Sequence, residues 1–236
     1  MYYGPPRRGI APRIDLYLPT APGPASALLV HGGGFVVGSR RMKPMRLLAS
    51  RLCAAGVAVG VVDYRLIFRG GRLDEALEDV AAGLAWFAAW ASRHGRDPRR
   101  LSMVGLSAGG MLALLAASRP SVPLHRLVSC FGLYDVDHLT GLPGLLPRLL
   151  FGTTDREAWR ARSPLAAAQP SVPTLLLHGT ADGLVPIEQA HRLAARRQAA
   201  GLPTELVTYP GAPHGFFNLP SQFSDDGVRR ILAYVT

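Results

Sequence analysis

The run Leu101-Ser102-Met103-Val104-Gly105-Leu106-Ser107-Ala108-Gly109-Gly110-Met111 constrains this chain more than any other stretch. An apolar segment of strand length passes through a glycine, a serine and a second glycine, then opens at once into an Ala- and Leu-rich helical segment. A strand that reverses into a helix within a few residues forces its central residue into a strained backbone conformation. The positions two residues to either side must then lack side chains, because strand and helix cross closely there. The serine hydroxyl is left projecting at the edge of a sheet, above a helix N-terminus that favours developing negative charge. Gly105, Ser107 and Gly109 thus ask for a strand–turn–helix unit and single out Ser107 as a candidate nucleophile.

The rest of the chain alternates in the same way. Residues 13–18 alternate apolar and polar positions, as an edge strand does, and a Pro/Gly turn follows. Mainly apolar runs at 27–30, 101–106 and 174–177 predict buried strands, and 57–62, 126–131 and 204–209 read as further strands. Helical patterns fall between them at 44–55, 73–92, 108–118, 186–200 and 221–234. Trp86, Phe87 and Trp90 on the second of these read as packing onto the sheet rather than as a cofactor stripe. The pattern predicts an α/β fold, a mostly parallel sheet flanked by helices on both faces. At 236 residues one domain over 1–236 suffices, with 1–12 as a loose Pro/Gly-rich arm. Residues 134–168 break the alternation with leucines set among prolines and glycines, and read as a lid-like insertion or acyl-pocket wall.

A formal charge of +10 invites a nucleic-acid reading, but Lys43 is the only lysine among 26 basic residues. The arginines are dispersed in pairs and never form a long run, which argues against nucleic acid. Cys53 and Cys130 lie in apolar stretches and read as free buried thiols. His and Cys show no metal-ligand spacing, so neither metal nor cofactor is expected. Residues 1–8 lack the apolar stretch of a signal peptide, and no window has the length of a membrane span. The expectation is a cytoplasmic protein without a stable membrane anchor, monomer or homodimer.

Ser107 needs a base, an acid and an oxyanion site. Asp182 follows the buried strand at 174–177, within His178-Gly179-Thr180-Ala181-Asp182, and His214 follows the last strand. Ligands of parallel sheets sit at the carboxyl ends of the strands, where all three fall. A serine hydroxyl is a poor nucleophile until a neutral imidazole takes its proton, and a carboxylate orients that imidazole. Asp135, after the strand at 126–131, is the second candidate for the acid; His31 and His178 read as loop braces. His31-Gly32-Gly33-Gly34 suits an oxyanion site, because backbone N–H groups converge only where no Cβ intervenes. The expected donors are Gly33, Gly34 and Ala108. A phosphate loop is excluded, since neither a G-K-[ST] ending nor a G-x-G-x-x-G run is present. Phe35, Leu184 and Phe216, with Val36 and Phe217, are the expected apolar pocket.

Together, His31-Gly32-Gly33-Gly34-Phe35, Asp63-Tyr64-Arg65, Gly105-Leu106-Ser107-Ala108-Gly109-Gly110, His178-Gly179-Thr180-Ala181-Asp182 and His214-Gly215-Phe216 resemble the hormone-sensitive lipase-like carboxylesterases of the α/β-hydrolase fold. The resemblance extends over most of 13–235 and implies a serine esterase that cleaves small-molecule esters of short or medium acyl groups. It also implies a structural role for Asp63-Tyr64-Arg65, holding the strand end near the oxyanion loop. The chain departs from it in having no helical cap before the first strand and in the shortened run Asp63-Tyr64-Arg65-Leu66-Ile67-Phe68. Its compact size is similar to small esterases and to formamidase- or peptidase-like domains, so amidase, peptidase or acyltransferase chemistry is the alternative. A catalytically silent ligand-binding relative is the third reading.

Overall fold

Seven strands carry the apolar runs: β1 (Ile14–Tyr17), β2 (Ser26–Val30), β3 (Ala58–Val62), β4 (Leu101–Leu106), β5 (Arg126–Cys130), β6 (Thr174–Gly179) and β7 (Thr204–Tyr209). The structure is a computed structural model that describes residues 1–4, 12–119, 122–136 and 145–236. The strands form one sheet in the order β1-β3-β2-β4-β5-β6-β7, with β1 antiparallel to β3 and every other neighbour parallel. β2, β3, β4 and β6 are buried at every position, which is why their sequences are mainly apolar rather than alternating, with Ser26, Ser102, Thr174 and His178 as buried polar exceptions.

Helices α1 (Lys43–Ala54), α2 (Leu73–Arg93), α3 (Ala108–Ala117), α4 (Leu145–Phe151), α5 (Arg156–Ala161), α6 (Glu188–Ala199) and α7 (Gln222–Val235) supply the covering layers. Leu48 and Leu52 of α1 with Ile231 and Val235 of α7 pack on Leu29, Val59 and Val104 of one sheet face. Leu84 and Phe87 of α2, Met111 of α3 and Leu193 of α6 pack on Leu28, Met103 and Leu176 of the other. Burial of each such side chain contributes about 1.5–3 kcal/mol. α3 is apolar all round and buried from Ala108 to Ala116, as a helix enclosed on every side must be. Phe87 and Trp90 stack at 5.7 Å within the core, in line with the packing role expected of them.

The expectation of a loose arm fails at its first residues. The Met1 ammonium donates to the Ile14 carbonyl at 2.7 Å, Tyr2 bridges Arg13, and the Tyr3 hydroxyl donates to the Asp63 carbonyl at 2.8 Å. An edge strand leaves one row of backbone groups unpaired, and residues 1–3 cover that row on β1. Residues 5–11 of the arm lie outside the described residues, as do 137–144 of the expected insertion. What is described of the insertion includes α4 and α5. No described helix is long and apolar enough to cross a membrane.

Candidate active site

The parallel register brings the ends of β2, β4, β6 and β7 to one edge of the sheet, and each strand runs there into a loop that the sequence singles out. Between β4 and α3, Ser107 adopts φ 53° and ψ −120°, a region that an L-residue occupies only when its surroundings impose it. The imposition comes from close crossing. A Cβ on Gly105 would lie 2.2 Å from the Gly109 carbonyl oxygen, and one on Gly109 would lie 2.2 Å from that of Val30. The Ser107 N–H donates to the Cys130 carbonyl, and its own carbonyl accepts from the Gly110 N–H that opens α3.

The predicted serine, histidine and aspartate come together. Ser107 Oγ lies 2.9 Å from His214 Nε2, and His214 Nδ1 lies 2.7 Å from Asp182 Oδ2. His214 stands after β7 on a turn closed by Gly215 in the left-handed conformation, and its ring meets Phe131 edge-on at 5.1 Å. Asp182 is held by the N–H groups of Leu184 and Val185, which donate to Oδ1 at 3.0 and 2.8 Å. His178 adds a further contact, its Nε2 lying 3.2 Å from Asp182 Oδ2 and 3.0 Å from the Val185 carbonyl. Because Nε2 faces two acceptors it carries a proton, and Nδ1 has no hydrogen-bond partner among the described residues. Burial pushes the Asp182 carboxyl up, but the hydrogen bonds from His178, His214 and the Val185 N–H outweigh burial and hold it well below the usual carboxylate range. An ionised carboxylate against Nδ1 keeps the His214 Nε2 lone pair turned to the serine.

Asp135, the second candidate for the acid, is elsewhere. It is buried, its carboxylate accepts from Arg192 at 2.9 Å, and its backbone is clamped by the Gln189 amide.

The glycine run after β2 forms a tight turn in which Gly33 (φ 116°) and Gly34 (φ 61°) take left-handed conformations. The Gly33 carbonyl accepts from the N–H groups of Val36 and Val37. The N–H groups of Gly33, Gly34 and Ala108 donate to no acceptor among the described residues, and all three residues line the cavity over Ser107. The neighbouring segment braces this turn. Tyr64 stacks on His31 at 4.3 Å and donates its hydroxyl to the His31 carbonyl, while Asp63 receives the Arg40 N–H and guanidinium. Arg65 is tied to buried Asp79 by its backbone N–H and by two guanidinium nitrogens. This is the bracing that the resemblance implies for Asp63-Tyr64-Arg65.

The cavity has a volume of about 480 Å³. Of the expected wall, Leu184, Val36 and Phe217 line it. Phe35 and Phe216 do not. Phe35, at φ 62°, carries its ring into the core edge-on to Tyr64 and is 1% exposed. Phe216 packs at 5.0 and 5.1 Å from Tyr209 and Phe131 beneath the site. The wall is completed by Leu146 from the 134–168 segment, as expected of that segment, and by side chains not expected there: Met42, Phe131 and Leu133. Phe131 and Leu133 could have been found from their place directly after β5; nothing in the sequence aims Met42. No group of three or more His, Cys, Asp or Glu able to hold a metal occurs among the described residues.

A mostly parallel sheet covered on both faces, with an elbow serine after its central strand, defines the α/β-hydrolase fold. More narrowly, the chain belongs to the prolyl oligopeptidase family, whose model matches residues 63–236. It is 30% identical to Esterase LipC of Mycobacterium tuberculosis over 84% of this chain and 54% of that protein. It is 31% identical to an ethyl acetate hydrolase of Pseudomonas putida, over 91% of this chain and 75% of the other. The chain thus spans about half the length of several of the curated relatives it matches. Among solved structures, esterase 2 of Thermogutta terrifontis (phosphoramylated by tabun) superposes with a TM-score of 0.80 at 24% identity, covering 100% of this chain and 92% of that one.

Proposed function

We propose that this chain is a serine esterase that hydrolyses neutral carboxylic esters with short to medium acyl groups, working as one catalytic domain. The observation that carries the reading is the hydrogen-bonded line from Ser107 through His214 to Asp182, which opens into a cavity with no Asp, Glu, Lys or Arg among the described residues of its wall. Ser107 Oγ attacks the ester carbonyl carbon as its proton passes to His214 Nε2. Charge collects on the carbonyl oxygen, where the N–H groups of Gly33, Gly34 and Ala108 receive it. Collapse expels the alcohol, which takes the proton from His214, and leaves the acyl group on Ser107. Water then attacks the acyl carbon, gives its proton to His214 and restores the serine. Asp182 keeps its charge throughout and stabilises the imidazolium. A removed oxyanion donor typically costs about a hundred- to a thousand-fold in rate.

About 480 Å³ lies in the lower half of the range for small-molecule sites, which supports short to medium acyl groups over long ones. The Leu133 and Leu146 side chains supply the acyl wall, and Leu146 does so from the 134–168 segment for which that role was expected. Cleavage of amides is the second reading, raised by the family to which the chain belongs. The test is a series of nitrophenyl esters of rising acyl length beside the matching anilides. Esters should turn over far faster than anilides, best at short to medium length, with all turnover lost in Ser107→Ala. A folded protein that turns over neither series and takes no label from a fluorophosphonate overturns the proposal, and anilides cleaved as fast as esters replace it with the second reading.

A further inference from the structure

Five of the nine large hydrophobic residues that stand exposed among the described residues surround one opening. Val36 and Leu184 are themselves part of the cavity wall. Val37 follows Val36, Leu219 follows the lining residue Asn218, and Leu145 precedes the lining residue Leu146; these three are 61%, 70% and 52% exposed. They come from four separate loops and helices, so the patch is made by the fold and not by one greasy segment. Soluble proteins rarely leave apolar residues gathered in this way unless something covers them.

The exposed charges that adjoin the lining among the described residues of these segments are positive. Lys43 is exposed between Met42 and Pro44, both of which line the cavity. Arg46 is exposed one turn further along α1, and Arg148 shares the exposed face of α4 with Leu145 at i, i+3 spacing. None of the three makes an ion pair among the described residues, whereas Arg40 and Arg41, just before them, are paired with Asp63 and Asp15. The described segments 32–46, 145–152, 183–187 and 214–223, each of which supplies or adjoins lining residues, contain no Asp or Glu, and exposed Glu188 and Asp225 lie just beyond two of them. Asp182 lies buried beneath, and Asp135 is buried and paired with Arg192. The whole chain carries a formal charge of +10.

We propose that the mouth of the cavity docks on an anionic lipid surface, with the apolar collar entering the headgroup region and Lys43, Arg46 and Arg148 lying among the phosphates. An apolar collar beside cations that make no ion pair among the described residues is complementary to such a surface and not to a neutral one. A second copy of this chain fits less well, because it would set two positive faces against each other. Docking in this pose turns the cavity toward esters dissolved in the lipid. The choice of ester rests on the esterase reading; the docking does not.

The test is co-sedimentation of the full chain with phosphatidylcholine vesicles, with and without phosphatidylglycerol, together with turnover of a soluble nitrophenyl ester. Wild type should bind the phosphatidylglycerol vesicles only and be released by salt. Lys43→Gln with Arg148→Gln should weaken binding about 25-fold, at about fivefold per cation. Val37→Ser with Leu219→Ser should weaken it as well, since neither residue lines the cavity, and both double variants should keep wild-type turnover of the soluble ester. The proposal is overturned by equal binding to both kinds of vesicle, by no binding, by binding that neither double variant weakens, or by a solution dimer that the apolar variant splits. Vesicle binding without ester turnover supports the docking and counts against the esterase reading alone.

Discussion

The crossing of β4, α3 and β2 at Gly109 makes a demand that one methyl group can test. A Cβ at this position would lie 2.2 Å from the Val30 carbonyl oxygen, 2.5 Å from that of His31 and 2.7 Å from the Val30 carbonyl carbon. All three are backbone atoms of the strand that leads into the oxyanion turn, so no side chain can swing away to make room. Restoring ordinary contact requires α3 and the end of β2 to part by about 1 Å, a lower bound on overpacking whose cost typically runs about 1–3 kcal/mol even where side chains can yield. We expect Gly109→Ala to cost about 3 kcal/mol, which for a chain of this size lowers Tm by roughly 6–12 °C. The displacement also separates Ser107 from the Gly33 and Gly34 N–H groups, and a 1 Å misplacement of that kind costs about a hundredfold in kcat. Gly183→Ala is the control: it sits in the Asp182 loop, no atom lies within 4 Å of the place its methyl would take, and its backbone is not left-handed. Thermal melts and nitrophenyl-ester kinetics on the two proteins decide the matter. Gly109→Ala with wild-type Tm and kcat, or Gly183→Ala as damaged as Gly109→Ala, refutes the reasoning.

Three further outcomes are expected. His178→Leu removes a hydrogen bond to the charged Asp182, worth about 1.5–3 kcal/mol, so kcat should fall about tenfold or more with little change in KM, and His178→Gln should recover part of it; unchanged kcat in the leucine variant would show that the contact does nothing for the chemistry. Asp182→Asn should lose far more activity than Asp135→Asn, and because the Asp182 carboxyl is depressed in the fold, its contribution to stability is present above the unfolded value of about 4 and fades as pH falls toward the folded one. Melts from neutral to acid pH should therefore show the gap between wild type and Asp182→Asn closing on the acid side. Asp79→Ala leaves the Arg65 guanidinium buried without its main partner and should destabilise the protein by about 3 kcal/mol, read as denaturant midpoint at constant m.

Backbone requirements were legible in the sequence, and side-chain directions were not. Gly105, Gly109, Gly33 and Gly34 are dictated by close approach or by left-handed φ, constraints that show in a single sequence because only one residue type meets them without strain. The strands were legible for a related reason: burial on both faces leaves a mainly apolar run, so β2, β3, β4 and β6 stand within a residue or two of where the pattern puts them. Phe35 and Phe216 show where this stops. Both follow the right motifs and are as apolar as a pocket wall requires, yet the backbone turn at each carries the ring under the site instead of into it. Arg197 fails in the opposite sense. Read as one of the dispersed pairs, it is fully buried, and its guanidinium caps the Pro170 and Val172 carbonyls before β6 and the Thr204 hydroxyl at the start of β7.

His178 lies between these cases, and it bears on how the acid loop works. Its place four residues before Asp182 at the end of β6 was visible, and a bracing role for it was expected. What the sequence could not show is that the brace rests on the carboxylate itself as well as on the Val185 carbonyl. Asp182 Oδ2 thereby faces two imidazoles, while Oδ1 is filled by two backbone N–H groups. A carboxylate satisfied at both oxygens by fixed donors cannot rotate to follow the ring of His214.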